Sequence, residues 1–188
     1  MNKNSDTADD ADRAIAEVAD AVRSVSTRTL EHIVEVIAGA RRIASYAGGR
    51  EGLALKGLTM RLFHAGFDAH SVGEMTCPAI RKGDLLILSC GPGHISTVAA
   101  LAERARQAQA HILYFTAEPH EPPAEYADDV VVIEAQTMAR DTGAGTVLPM
   151  GSSYEIALFI VADLVTNRLR MRSGESPETM RERHTNME

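Results

Sequence analysis

The chain has 188 residues, 45% of them hydrophobic and 24% charged, with a formal net charge of −7, the mixture of one globular domain with a sizeable core. The acidic balance argues against a general nucleic-acid binder, whose phosphate contacts need surplus Lys and Arg, but not against a small anion, which a few backbone N–H groups can hold whatever the net charge. No apolar run approaches the ~20 residues of a membrane span, and the acidic start carries no signal-peptide core. Two cysteines, Cys77 and Cys90, make neither a disulfide framework nor a four-ligand zinc site, and 4% aromatics without Trp leave little for stacking on bases or sugars. The expected setting is a reducing cytoplasm, with no nucleic-acid or membrane partner and each cysteine a small buried hydrophobe.

Residues 1–8 are polar, charged and without periodicity, which predicts disorder. From Ala11, apolar residues recur at helical spacing through Ile15, Val18, Val22 and Val25, then through Leu30, Ile33, Val34 and Ile37. They predict one long or broken amphipathic helix ending near Gly39. Arg42–Ala47 reads as a short strand running into the cluster Gly48-Gly49-Arg50-Glu51-Gly52. A helix is predicted over Leu53–Ala65, with Leu55, Leu58, Leu62 and Phe63 at core spacing, and a strand around Ala69–Val72. Lys82-Gly83-Asp84 is a turn signal, and Asp84–Cys90 is a nearly continuous apolar run, as expected of a strand buried on both faces. Gly91-Pro92-Gly93 ends it. A helix over His94–Ala108, strands at His111–Thr116 and Val130–Ile133, and a helix from about Ser153 to Met171 follow. Pro177 suits the first turn of a short terminal helix.

Strand, glycine turn and helix thus alternate, which predicts an α/β fold: a doubly wound, three-layer, flavodoxin-like domain with about five parallel strands. The expected organisation is a single domain over residues 9–188, with N-terminal helices at 9–40, an α/β core at 41–172 and a tail helix at 173–188. Active sites in such folds lie at the carboxyl ends of the strands near the topological switch point. The loops 47–52, 89–97 and 148–155 are the candidates.

Three stretches carry a family likeness. The first is Gly49-Arg50-Glu51-Gly52-Leu53 with Met60-Arg61-Leu62-Phe63-His64-Ala65-Gly66-Phe67, leading to Val72-Gly73-Glu74-Met75-Thr76-Cys77-Pro78. The second is Gly83-Asp84-Leu85-Leu86-Ile87 and its following loop. The third is Leu148-Pro149-Met150-Gly151-Ser152-Ser153-Tyr154-Glu155 with the closing Arg183-His184-Thr185-Asn186-Met187-Glu188. On these the chain resembles sugar isomerase (SIS) domains, specifically the 6-phospho-3-hexuloisomerase family. The resemblance implies an isomerase that converts 3-hexulose 6-phosphate to fructose 6-phosphate through a cis-enediolate. It also implies that no metal or other cofactor is used, and that the protein is a homotetramer with sites shared between subunits.

Within the resemblance, Glu155 matches the catalytic glutamate, the base that takes a proton from the carbon beside the carbonyl and returns it to the neighbouring carbon. An acid in the first turn of a helix is also favoured by the helix dipole alone. His184 matches the terminal histidine, which opens the sugar ring or shuttles the oxygen-bound proton; for that the tail has to dock, on a neighbouring subunit. Ser152, a candidate for substrate contact, is also a plain helix cap.

The phosphate grip departs from the family. The first loop usually reads Gly-Arg-Ser-Gly and here reads Gly49-Arg50-Glu51-Gly52, so a hydroxyl is replaced by a carboxylate. The second usually reads Ser-Gly-Ser-Gly-Glu-Thr and here reads Ser89-Cys90-Gly91-Pro92-Gly93-His94. Ser96 and Thr97 stand just downstream as substitutes, and His94 is either an anion ligand or an ordinary residue at a helix start. Cys77, Cys90 and His94 are three potential metal ligands, but their spacing matches no standard zinc pattern. Three readings stay open: the same reaction on an altered substrate, a carbohydrate-derivative-binding or regulatory protein without isomerase activity, or the standard reaction through Arg50, Ser96 and backbone N–H groups.

Overall fold

The structure, a computed structural model, describes residues 3–141 and 145–187. Five parallel strands form one sheet in the order β2-β1-β3-β4-β5. They are β1 (Ile43–Ala47), β2 (Ala69–Ser71), β3 (Leu85–Ser89), β4 (His111–Thr116) and β5 (Asp129–Val132). The helices are α1 (Lys3–Arg23), α2 (Thr27–Gly39), α3 (Glu51–His64), α4 (Ser96–Gln107), α5 (Ser152–Ser173) and α6 (Pro177–Glu182). This is the predicted doubly wound α/β architecture.

The period-2 alternation of the strands divides the core into two layers. Leu85 and Ile87 of β3, with Ile43, Leu113 and Phe115, face α2, α3 and α5 through Ile33, Ile37, Leu55, Leu62, Leu158 and Val161. Leu86 and Leu88, with Ala44, Ile112 and Tyr114, face α4 through Val98, Ala102 and Ala105. All five residues of β3 are buried, as the continuous apolar run requires. Asp129, at the amino end of β5, accepts from His32 on α2 and His111 on β4, each at 2.6 Å, and ties that helix to the sheet edge.

The N-terminal helix is broken, not continuous. Ser26 accepts from Thr29 N at 3.1 Å and caps α2. Helix α1 starts at Lys3, so the disorder expected over residues 1–8 does not extend over 3–8; residues 1–2, and Glu188 of the closing motif, lie outside the described residues. None of residues 3–8 is Gly or Pro, so no residue there breaks a helix. A missing apolar stripe therefore does not prevent a helix. Among the described residues no helix is long and apolar enough to cross a membrane.

Strand order reverses between β1 and β3: the chain leaves β1 for β2 on one side, then returns to β3 on the other. The loops after β1 and β3 diverge there and open a crevice at the carboxyl ends of the strands.

Candidate active site

That crevice is a pocket of about 420 Å³. Gly48, Gly49, Arg50 and Glu51 line it from the turn into α3, and Pro92 and Ile95 from the loop into α4. Thr137 and Met138 enter from the segment after β5, and Met150, Gly151, Tyr154 and Glu155 from the start of α5. All three loops predicted from the sequence meet in it.

The start of α5 is sharply bent. Met150 and Gly151 both have positive φ, 53° and 86°, and a Cβ on residue 151 would lie 3.2 Å from Thr137 Cα. Glycine alone lets this turn close on the segment after β5. The bend presents Glu155, one turn further on, to the pocket. Its side chain is 18% exposed, and its Oε2 lies 3.1 Å from Arg50 Nε. Arg50 also donates to the buried Ser152 Oγ at 3.0 Å. Burial raises the pKa of Glu155, and the Arg50 guanidinium opposes that rise. Oε2 is shielded from solvent and has no well-directed hydrogen bond, and the same is true of the buried Thr137 Oγ1.

Glu51 sits in the first turn of α3 and is 7% exposed. Ser89 Oγ donates to its Oε2 at 2.5 Å, and Gly91 N–H lies 3.0 Å from both carboxylate oxygens. Tyr154 OH lies 3.0 Å from Ser89 Oγ; because Ser89 gives its proton to Glu51, the tyrosine donates to the serine. Burial is the main cause that raises the Glu51 pKa and the nearby Glu155 adds to it, while the hydrogen bonds from Ser89 and Gly91 act the other way. A side chain on residue 91 would meet the Tyr154 ring at 2.7 Å, so Gly91 is what allows that ring to cover the loop.

Other candidates lie outside the pocket lining. Gly52 is in the first turn of α3, and Gly93 is packed under Glu118 and Glu121. His94 and Ser96 are exposed, and no side chain caps α4. His184 is at the other end of α3 from the pocket, roughly 20 Å away along the 14-residue helix. Its ring lies 4.9 Å from that of His64. Arg183 anchors the tail there, donating to His64 O at 2.8 Å and to both oxygens of Glu175. These hydrogen bonds pull the Glu175 pKa down to about 2.

Both cysteines are free, and burial pushes the Cys90 thiol up to about 12. Among the described residues no group of three His, Cys, Asp or Glu is placed to hold a metal ion. Thr137 and Met138 are the lining residues outside every stretch the sequence marked, and Tyr154 was quoted there without a role. Tyr154 lies inside the Met150–Glu155 motif and was readable from it; nothing in the sequence around Thr137 points to the pocket.

The fold and the pocket define an α/β domain with a crevice lined by charged and polar groups at the switch point of its sheet. Residues 36–162, more than half of the chain, match the SIS domain, and the chain belongs to the SIS domain family. It is 37% identical over 175 residues to the 3-hexulose-6-phosphate isomerase of Mycobacterium gastri, covering 92% of this chain and 86% of the relative. It is 30% identical over 165 residues to the Bacillus subtilis 3-hexulose-6-phosphate isomerase, covering 87% and 89%. Among solved structures, it superposes with a TM-score of 0.84 on a Methanococcus jannaschii protein inferred to have a 3-hexulose-6-phosphate isomerase function, at 27% identity over 96% of this chain and 99% of that one.

Proposed function

We propose that the protein is a sugar-phosphate isomerase that interconverts 3-hexulose 6-phosphate and fructose 6-phosphate. The observation that carries this reading is Glu155: a half-buried carboxylate in the switch-point pocket, paired with Arg50 and with one shielded oxygen lacking a directed hydrogen bond. In the proposed reaction Glu155 takes the proton from the carbinol carbon beside the carbonyl. The electron pair left behind forms the double bond of a cis-enediolate, and the carbonyl oxygen takes the charge. Glu155 then returns the proton to the former carbonyl carbon, while a second group moves the hydroxyl proton from one oxygen to the other. Arg50 holds Glu155 in place, and as an adjacent cation it also favours the enediolate charge. The step uses side chains alone.

His184 is the proposed second group, and it acts in the pocket of a neighbouring copy. A tetramer is the proposed assembly. Leu53, Met60 and Phe63 on α3 and Ile156, Phe159 and Ile160 on α5 are large exposed hydrophobics. Residue 57 of α3 lies 3.1 Å from the Phe159 ring at Cβ position, so the two stripes adjoin, and a groove of about 530 Å³ between α1 and α5 extends the apolar surface. The proposed location is the cytoplasm, where free thiols stay reduced.

The test is incubation with fructose 6-phosphate in heavy water. Solvent deuterium entering beside the carbonyl, with formation of the 3-keto isomer, is the expected result; the absence of both overturns the reading. The carboxylate of Glu51 among the donors of the β3 loop favours a second reading, a sugar-phosphate-binding protein that does not turn its ligand over, and that outcome would leave binding without exchange.

A further inference from the structure

A carboxylate already fills the anion-accepting end of this pocket. Gly91 N–H and Ser89 Oγ, the donors at the carboxyl end of β3, both point at Glu51. The carboxylate also sits in the first turn of α3, where the helix dipole favours negative charge. These are the groups that a dianionic phosphate would use at a strand–helix junction.

We infer that Glu51 is the specificity-determining residue of the pocket: its carboxylate is an internal anion in the phosphate cradle, and a sugar phosphate binds by displacing it together with uptake of one proton. This rests on the sugar-phosphate reading given above.

The surroundings direct that proton. Glu51 faces Glu155 and Tyr154 from α5, Ser89 and Cys90 from β3 and its end, and Tyr114 from β4, and Arg50, which precedes α3, lines the same pocket. Tyr154, Tyr114 and Cys90 are all held in their neutral forms by burial. Among the described residues Arg50 is the one cation lining the pocket, and it is already paired with Glu155. Among the described residues no free positive charge therefore offsets a carboxylate and a phosphate side by side. The same lack of compensation disfavours both anions together, so the carboxylate leaves the cradle neutral or not at all.

The experiment is calorimetric titration with fructose 6-phosphate from pH 7 to 8.5, where the ligand phosphate stays dianionic (second pKa about 6). Expected for the wild type is a Kd that weakens towards tenfold per pH unit, and a binding heat that varies with buffer ionisation enthalpy as one proton taken up. Glu51→Gln, which keeps the shape of the side chain, should lose both dependences, and Glu51→Ser should bind at least tenfold tighter than wild type at pH 8. Wild-type affinity independent of pH and equal to that of Glu51→Ser overturns the inference alone. The same slope in Glu51→Gln as in the wild type also overturns it, because the proton then belongs to another group. No binding by any of the three proteins at any pH overturns the sugar-phosphate reading and the inference with it.

Discussion

Arg50 bridges Glu155 and Ser152, with Nε 3.1 Å from the carboxylate and Nη1 3.0 Å from the hydroxyl. The guanidinium holds the carboxylate in position and favours its ionised form, working against the burial that raises its pKa. As the proposed base Glu155 would act when deprotonated, so the rate should fall as pH drops through a pKa that lies above the ordinary 4.5. Replacing Arg50 by Met removes the opposing cation. The acid limb of the kcat–pH profile should then move to higher pH, and an unmoved limb shows that Arg50 does not set it.

Glu155→Gln keeps the shape of the side chain and removes the proposed base. The expected loss of kcat is roughly 10²- to 10⁴-fold, with the far-ultraviolet circular dichroism and melting temperature close to wild type. Full retained rate assigns the base elsewhere.

Gly91→Ala puts a methyl group 2.7 Å from the ring of Tyr154, which is itself 1% exposed. Neither neighbour can step aside without disturbing the core, so a loss of about 1–3 kcal/mol is expected in urea denaturation. Gly39→Ala, where no atom lies within 4 Å of the new carbon, should change stability by less than about 0.5 kcal/mol. Equal effects at the two sites would show that the Tyr154 contact is not what restricts residue 91.

Asp129 tests a different end of the molecule. Its burial favours the neutral acid, but the hydrogen bonds from His32 and His111 outweigh that and bring its pKa below 3.8. A depressed folded-state pKa stabilises above the unfolded value and is lost as pH falls through the folded one. Asp129→Asn should therefore be less stable than wild type by about 1 kcal/mol at neutral pH, and the two urea midpoints should converge below pH 3.8. Because the cluster lies at the amino ends of the strands, isomerisation should be unaffected.

Phe159 is 45% exposed on the outer face of α5. A charge there, in Phe159→Glu, should lower the mass seen by light scattering from that of the proposed tetramer. If His184 serves a neighbouring copy, the same variant should lose activity in proportion. A mass unchanged by the substitution places the subunit contact on another face.

The strands and the three converging loops were readable in the sequence because each is marked by a local signal: a continuous apolar run in β3, a glycine turn after β1 and after β3. The position of Glu155 was also readable, since it falls in the first turn of a helix opened by Met150-Gly151. The orientation of Glu51 was not. A carboxylate in a glycine loop reads as an obstacle, and only the fold shows that Ser89 and Gly91, 38 and 40 residues further on, turn to receive it. Thr137 is in the pocket because the chain after β5 folds back against Gly151, a contact with no local pattern to announce it. His184 was expected to serve the pocket of a neighbouring subunit; within its own chain the ion pair of Arg183 with Glu175 holds it beside His64, a placement with no local sequence signal.

An anion attached to the chain is present at the same local concentration whatever the solution contains. A pocket lined only by hydroxyls and N–H groups fills from its surroundings with whichever small oxyanion is abundant. Glu51 supplies its own occupant through a covalent tether, so orthophosphate and sulfate, which bring no sugar to grip the rest of the pocket, have no unoccupied donors to claim at Ser89 and Gly91. The protein is thus insulated from the phosphate level around it, and only a ligand with further contacts along the pocket can open the cradle.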